Sequence, residues 1–153
     1  SILRKTVPVK KISEQIKGKT VFVIGAGPSL SLAIPVLKNF KKAVKIVADS
    51  AVKPLVESGI KPDIVVTDLD GDEHSLIKVG KTNSIFVVHA HGDNIAKLCL
   101  AENFKNCIGT TQSKPFKNIQ NFGGFTDGDR AVFLASHFDA KKIILFIFMI
   151  LSS

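Results

Sequence analysis

The sequence contains no tryptophan and no tyrosine, and only two of its 153 residues are cysteines. These two, Cys99 and Cys107, lack the paired spacing of a zinc site. We expect each to be a small buried hydrophobe in a reducing, cytoplasmic compartment. No signal peptide opens the sequence, and the strongly apolar run 143–151 is shorter than the about 20 residues that a membrane helix needs. We therefore expect a cytoplasmic protein without a membrane partner.

Basic residues outnumber acidic ones and give a formal net charge of +8. A lysine-rich solvated surface explains this charge, and so does a field that attracts nucleotides or nucleic acid. No dense lysine and arginine block with interleaved aromatics is present, which argues against nucleic acid as a partner. The length and the hydrophobic content of 45% are those of one domain with a buried core. We predict a basic N-terminal segment, 1–19, and a single α/β nucleotide-binding catalytic domain, 20–153.

Apolar runs alternate with helix-like segments along this domain. The predicted strands are 20–24, 45–48, 64–67, 84–88, 107–110 and the run from 142 onward. The predicted helices are 12–16, 29–40, 50–58, 73–79, 94–102 and 126–137, and residues 112–124 are a predicted loop. This order predicts a three-layer, Rossmann-like α/β domain with a mostly parallel sheet of about six strands and helices on both faces. The run 143–151 is interpreted as a central strand because it is apolar throughout.

Polar clusters follow one predicted strand after another, at 25–29, 49–50, 68–72 and 89–94. In open α/β sheets, ligands bind at the carboxyl ends of the strands, where the connecting loops diverge. Four independent clusters at one predicted edge therefore indicate a ligand site there.

Asp68, Asp70 and Asp72 form the most specific of these clusters. In an extended segment they point to one side, where three carboxylates repel each other unless a cation joins them. Mg²⁺ takes oxygen ligands, so this pattern favours Mg²⁺ or direct phosphate chemistry. A calcium EF-hand is disfavoured because its twelfth position is Val79 instead of Glu. Helix capping is an alternative for one of the three acids, most easily Asp72.

Gly25, Gly27, Pro28 and Ser29 join the first strand to a helix. Backbone amides in such a loop, together with the helix N-terminus, favour a bound phosphate. The third glycine of a dinucleotide fingerprint is replaced by Leu30, and no Walker pattern follows. A tight turn with Ser29 as the helix cap remains the alternative.

Asp49 and Ser50 end the second predicted strand, about 24 residues after Gly25. A Rossmann enzyme places its ribose-binding acid at such a distance. An N-cap for the following helix explains Asp49 equally well.

The turn after the fourth strand contains His91, Asp93 and Asn94, with His89 preceding them. Alternating histidine and aspartate can bind a transition metal. We favour polar contacts to substrate or phosphate, and a surface turn is the alternative.

The last predicted helix begins at Thr126, with Asp127, Asp129 and Arg130 in its first turn. Thr126 and Asp129 outline a capping box, and acids in a first turn also suit the helix dipole. Two preceding glycines and Arg130 favour instead a mobile loop with a phosphate-binding base.

Taken together and in order, these motifs resemble the archaeal 6-hydroxymethyl-7,8-dihydropterin diphosphokinases. The resemblance covers about residues 21–145 and depends on Val23–Leu30, Ala48–Ala51, Lys61–Asp63 leading to Thr67–Asp72, His89–Asn94 and Gly124–Ala131. That family is similar in its core to the catalytic domain of thiamin pyrophosphokinases.

The resemblance implies Mg²⁺-dependent transfer of pyrophosphate from ATP to the pterin hydroxymethyl group, with release of AMP. The implied catalytic residues are Asp68, Asp70, Asp127 and Arg130. The implied metal ligands are Asp68 and Asp70, with Asp49, Asp72 and Asp127 as further candidates, either as ligands or as residues that orient them. The implied nucleotide and substrate contacts are Gly25, Gly27, Pro28, Ser29, Asp49, Ser50, His91, Asp93, Asn94, Thr126 and Asp129.

Other functions remain open at the level of the residues. A thiamin pyrophosphokinase-like enzyme needs the same chemistry, and a nucleotide-sugar glycosyltransferase of the motility accessory factor type shares the Gly-x-Gly-Pro-Ser-Leu opening. A Rossmann oxidoreductase explains Asp49 but leaves 68–72 without a role, and a non-catalytic nucleotide-binding domain is a further alternative. The apolar end of the sequence, where relatives turn into a polar loop, predicts a truncated C-terminus. A homodimer is left open.

Overall fold

The computed structural model describes residues 7–28, 30–89, 102–110, 119–120 and 127–146. Within these residues the chain forms five helices and seven strands. The helices are α1 (Val9–Ile16), α2 (Leu30–Asn39), α3 (Asp49–Glu57), α4 (Glu73–Gly80) and α5 (Asp127–His137). The strands are β1 (Thr20–Ile24), β2 (Val44–Ala48), β3 (Ile64–Thr67), β4 (Ile85–His89), β5 (Asn106–Thr110), β6 (Ile119–Gln120) and β7 (Lys142–Phe146).

The seven strands form one sheet in the order β6-β5-β4-β3-β2-β1-β7. Every neighbouring pair is parallel. Parallel neighbours require crossover connections, and α2, α3 and α4 lie between successive strands of the chain. All carboxyl ends of the strands therefore meet at one edge of the sheet, as the sequence predicts.

Alternate residues of each strand enter two separate hydrophobic cores. Phe22 and Ile24 of β1 belong to the core that includes buried residues of α2, α3 and α4, whereas Val21 and Val23 belong to the core with α1 and α5. Because both faces are covered, the strands are apolar at consecutive positions instead of alternating with polar residues. The predicted three-layer α/β fold with helices on both faces is confirmed.

Two local predictions are wrong. The segment 112–124 is predicted as a loop, but Ile119–Gln120 pairs with β5 as the two-residue strand β6. β7 is predicted as a central strand, but among the described strands it lies at the edge, next to β1 alone. Leu145 is 55% exposed at this edge. The prediction failed because an apolar sequence indicates a strand but does not indicate how many neighbouring elements cover it. The predicted helix 94–102 lies mostly outside the described residues.

Cys107 is buried in the core, and this burial raises the pKa of its thiol to about 12. The thiol is thus protonated and unreactive, as expected of a small buried hydrophobe. Cys99 lies outside the described residues. Among the helices of the described ranges, none is both long enough and apolar enough to span a bilayer.

Candidate active site

Three aspartates meet at the carboxyl edge of the sheet because three elements place them there. Asp49 directly follows β2 as the first residue of α3, and Asp68 directly follows the neighbouring strand β3. Asp127 is the first residue of α5, which packs across β1, β2 and β3. Neighbouring parallel strands end side by side, so the acids that follow them lie close together.

One carboxylate oxygen from each of Asp49, Asp68 and Asp127 lies within 4.8 Å of the other two. Asp49 is buried, and the other two are half-buried. Three converging carboxylate oxygens are the donor set that hard divalent cations such as Mg²⁺ prefer. The residues present therefore fit a hard divalent cation. We call these three residues the acid cluster.

Asp49 is held in place by donors from the segment that follows β3. The hydroxyl of Thr67 donates to its Oδ2 at 3.0 Å, and the amide of Gly71 donates to the same oxygen at 3.1 Å. The Thr67 hydroxyl oxygen accepts in turn from the Leu69 amide at 2.7 Å. This network fixes the Asp49 carboxylate before any ligand arrives. Thr67 belongs to the motif that carries the family resemblance but is not among the predicted site residues, although it is the one polar residue in an otherwise apolar strand.

The chain turns sharply at Leu69, which has a φ of 70°. This left-handed conformation is rare for a leucine, and here the side chain is buried in the core on the α2 face. The turn ends the extended alternation that the sequence suggests for Asp68, Asp70 and Asp72. Asp70 is consequently exposed, and its amide donates to Asp68 Oδ1 at 3.2 Å.

Asp72 is the N-cap of α4. Its Oδ2 accepts from the Ser75 amide at 2.9 Å and from the Ser75 hydroxyl at 2.7 Å. The hydroxyl bond, followed by the amide bond, lowers the pKa of Asp72. The structure thus brings Asp68 together with Asp49 and Asp127, and it leaves Asp70 and Asp72 outside the acid cluster. The capping alternative for Asp72 is the one that the geometry supports.

Asp127 is paired with Arg130, whose Nη1 donates to Asp127 Oδ1 at 2.8 Å. Burial raises the pKa of Asp127 to about 8, with further contributions from the charge of Asp49, a hydrogen bond to Asp49 and the charge of Asp68. Arg130 opposes this rise without cancelling it. Without a cation, the acid cluster therefore holds a proton near neutral pH. A divalent cation at the same place would displace that proton.

The glycine loop after β1 is only partly able to bind phosphate through its amides. The Gly25 amide donates to the carbonyl oxygen of Phe146 at 3.0 Å and thus belongs to the sheet. Pro28 has no amide hydrogen. In the described part of this loop, the amides of Ala26, which is exposed, and Gly27, which is half-buried, are therefore the ones available to a phosphate. The predicted nucleotide contacts of Gly25, Gly27 and Pro28 stay predictions.

Ser50 and Asp129 are exposed residues in the first turns of α3 and α5. Several other predicted contacts lie outside the described residues: Ser29, His91, Asp93, Asn94 and Thr126. The preceding His89 is buried at the end of β4, where its Nδ1 lies 3.1 Å from the Thr110 hydroxyl oxygen.

Gly71→Ala is expected to lower turnover about tenfold through a small displacement of Asp49. An added Cβ at Gly71 would lie 3.0 Å from the Asp49 carbonyl oxygen and 3.1 Å from its Cβ, so Asp49 must shift by a few tenths of an ångström. Steady-state kinetics of the variant measure this effect.

Gly80→Ala is the matched control for that measurement. Its added Cβ would overlap the ring of Phe104 at the carboxyl end of α4, within the core and away from the acid cluster. We expect it to reduce stability to urea while leaving the turnover of the folded fraction unchanged. Equal losses of turnover in both variants would contradict a specific role for the contact between Gly71 and Asp49.

Comparison of the sequence with known proteins identifies a family that the chain matches. The model of the MptE-like 6-hydroxymethylpterin diphosphokinases matches residues 2–146. The chain is 49% identical over 151 residues to the 6-hydroxymethyl-7,8-dihydropterin pyrophosphokinase of Methanocaldococcus jannaschii, covering 92% of this chain and 62% of that protein. It is 47% identical over 137 residues to the protein of the same name from Pyrococcus furiosus, covering 90% of this chain and 58% of that protein.

A third protein of that name, from Methanothermobacter thermautotrophicus, is 45% identical over 125 residues, covering 80% of this chain and 54% of the relative. The chain spans less than two thirds of the length of each of these relatives.

Proposed function

Because the chain belongs to the MptE-like 6-hydroxymethylpterin diphosphokinase family, we propose that it transfers diphosphate from ATP to 6-hydroxymethyl-7,8-dihydropterin. The observation that supports this function best is the acid cluster, in which three carboxylate oxygens lie within 4.8 Å of one another. Diphosphate transfer brings together several phosphate charges, and a cation held by carboxylates offsets them. The chemistry that the family name implies and the geometry of this edge therefore agree.

In the proposed reaction, the hydroxymethyl oxygen of the pterin attacks the β-phosphorus of ATP. The bond between the β-phosphorus and the oxygen that bridges it to the α-phosphorus breaks, and AMP leaves with that oxygen. The hydroxyl proton passes to solvent. Such transfers depend mostly on positioning and electrostatic stabilisation, so no dedicated general base is needed.

Asp49, Asp68 and Asp127 would hold Mg²⁺ in this proposal. A bound Mg²⁺ neutralises charge on the phosphate oxygens and helps to fix an in-line geometry. Thr67 and the Gly71 amide keep the Asp49 carboxylate oriented through their bonds to Oδ2.

Arg130 orients Asp127 through its 2.8 Å bond and supplies one buried positive charge beside three carboxylates. The amino ends of α3 and α5 lie at the same edge, and their dipoles favour the phosphate groups of ATP there. Both features oppose the crowding of negative charge that substrate binding produces.

The alternative functions are less well supported. An oxidoreductase needs Asp49 at the ribose of a dinucleotide, whereas here its Oδ2 accepts two internal bonds and the residue belongs to the acid cluster. The named relatives are pterin pyrophosphokinases, which favours pterin over thiamin and over a nucleotide sugar. We further propose a cytoplasmic location, because Cys107 is a free cysteine and reduced cysteines are usual in a reducing compartment.

Incubation with ATP, Mg²⁺ and 6-hydroxymethyl-7,8-dihydropterin is expected to release one AMP for each pterin diphosphate formed. Parallel incubations replace the pterin with thiamin or omit Mg²⁺, and both are expected to give only background AMP. Chromatography with phosphorus NMR identifies the products. AMP formation with thiamin and not with the pterin would contradict the proposed acceptor, and Mg²⁺-independent turnover would contradict the role of the acid cluster.

A further inference from the structure

A second charged region lies at the amino edge of the sheet, opposite the acid cluster. Here a surface cavity of about 720 Å³ opens between the carboxyl end of α2, the start of β2 and the segment that joins α3 to β3. The charged residues that line it are Lys38, Lys41, Lys45, Lys61 and Asp63. Lys45 is the second residue of β2, and Asp49 directly follows the same strand, so β2 separates the two regions by about 13 Å.

Lys45 distinguishes this cavity from an ordinary lysine-rich surface. The residue is only 7% exposed, and its Nζ donates to the carbonyl oxygens of Ala43 at 3.3 Å and Phe40 at 3.5 Å. Over the described ranges, no carboxylate forms an ion pair with this ammonium group. The nearby Asp63 Oδ2 instead accepts from the backbone amide of Lys45 at 2.8 Å. A buried ammonium that has only neutral acceptors is costly unless a counter-charge joins it.

The helix dipoles of α2 and α3 offer a simpler explanation for these lysines, because the carboxyl ends of both helices border the cavity. Each helix end carries roughly half a negative charge, so two ends offset about one lysine. Asp63 offsets a second one. Among the residues that line the cavity, the four lysines therefore leave roughly two positive charges unbalanced.

We propose that this cavity binds an anion of the di- or triphosphate class. Lys45 would be the buried counter-charge within the cavity, and the exposed lysines at positions 38, 41 and 61 would contact the outer phosphate oxygens. Leu37 and Ile60 supply an apolar wall, and the volume admits a ligand larger than a single phosphate. The ligand is either free pyrophosphate or the phosphate chain of a nucleotide. This proposal does not depend on the reaction proposed for the acid cluster.

Isothermal titration with pyrophosphate and, separately, with ATP tests the proposal in a buffer without divalent cations. We expect Lys45→Met to weaken the binding of at least one of these probes tenfold or more, because it removes the charge and keeps most of the side-chain volume. Lys11→Met is the matched control, since Lys11 is exposed on α1, which packs on the opposite face of the sheet. Binding that is the same in both variants, or an absence of binding in the unmodified protein, would overturn the proposal.

A second variant keeps the test decisive if Lys45→Met does not fold. Lys38→Ala combined with Lys61→Ala changes only exposed side chains, and we expect it to weaken binding at least fivefold. Unchanged binding in this double variant would overturn the proposal. Whichever probe binds more tightly to the unmodified protein identifies the ligand class. Tighter binding of pyrophosphate indicates free pyrophosphate, and tighter binding of ATP indicates the phosphate chain of a nucleotide.

Discussion

Asp68→Asn is expected to reduce AMP formation about a thousandfold, which corresponds to about 4 kcal/mol of lost transition-state stabilisation. Asp68 is the member of the acid cluster that follows β3, and Asn keeps its size while removing the charge that a divalent cation requires. Because the side chain is only half-buried, the urea midpoint should change little. The measurement is kcat/KM for AMP release at saturating Mg²⁺.

Two further variants sharpen this prediction. Asp139→Asn makes the same chemical change at an exposed residue with a φ of 58°, a conformation that Asn tolerates well, and turnover should be unchanged. Asp70→Asn distinguishes two hypotheses about the metal site: the sequence predicts Asp68 with Asp70, whereas the structure brings Asp68 together with Asp49 and Asp127. If Asp70→Asn is as damaging as Asp68→Asn, Asp70 belongs to the metal site as the sequence predicts, and the acid cluster alone does not describe that site.

Asp127→Asn is expected to make the metal-free protein more stable at neutral pH by a few kcal/mol. The pKa of Asp127 is raised from 3.8 to about 8 in the folded protein, so between these values the folded state keeps a proton that the unfolded state has released. The free energy of unfolding contributed by this group therefore falls as pH rises from about 4 to about 8, by up to about 1.4 kcal/mol per pH unit. Asn resembles the protonated carboxyl group and does not incur this loss.

The difference in unfolding free energy between the variant and the unmodified protein measures what the Asp127 carboxyl group contributes, including its coupling to its neighbours. Urea denaturation followed by far-ultraviolet circular dichroism is suitable, since the sequence lacks tryptophan and tyrosine. The difference should be near zero at pH 4, grow through neutral pH and level off above pH 8. Mg²⁺ should stabilise the unmodified protein and have little effect on the variant. A difference that does not change with pH, or an equal Mg²⁺ effect on both proteins, would contradict the assignment.

Strand order explains why much of the site could be predicted from the sequence. Asp49 and Asp68 directly follow apolar runs, and any parallel sheet with these runs as neighbours brings the two acids to one edge. Asp127 was predictable as part of a helix start, which a parallel α/β fold places at the same edge. These three inferences need only the order of helices and strands along the chain. Hydrophobic periodicity in the sequence indicates that order well.

The remaining errors in the predicted site arise where the backbone departs from the regular alternation of side chains in an extended strand. The predicted convergence of Asp70 and Asp72 with Asp68 assumes an extended chain, but Leu69 adopts a positive φ in order to bury its side chain. No local pattern indicates that a leucine does so. The role of Thr67 was equally hidden, because a threonine that ends a strand is common and its partner Asp49 is 18 positions away in sequence. Such partners become visible only once the two strands are placed side by side.

The position of β1 between β2 and β7 has a consequence for synthesis of the protein. On the ribosome, β2 emerges soon after β1, but β7 emerges only after almost all of the described chain. Until then, one side of an apolar strand exposes unpaired amides and carbonyls, which can pair with another nascent chain. The bond from the Gly25 amide to Phe146 also forms only at this last step, so the glycine loop beside the acid cluster acquires its final shape late. Incomplete chains are therefore expected to be the species most in need of a chaperone.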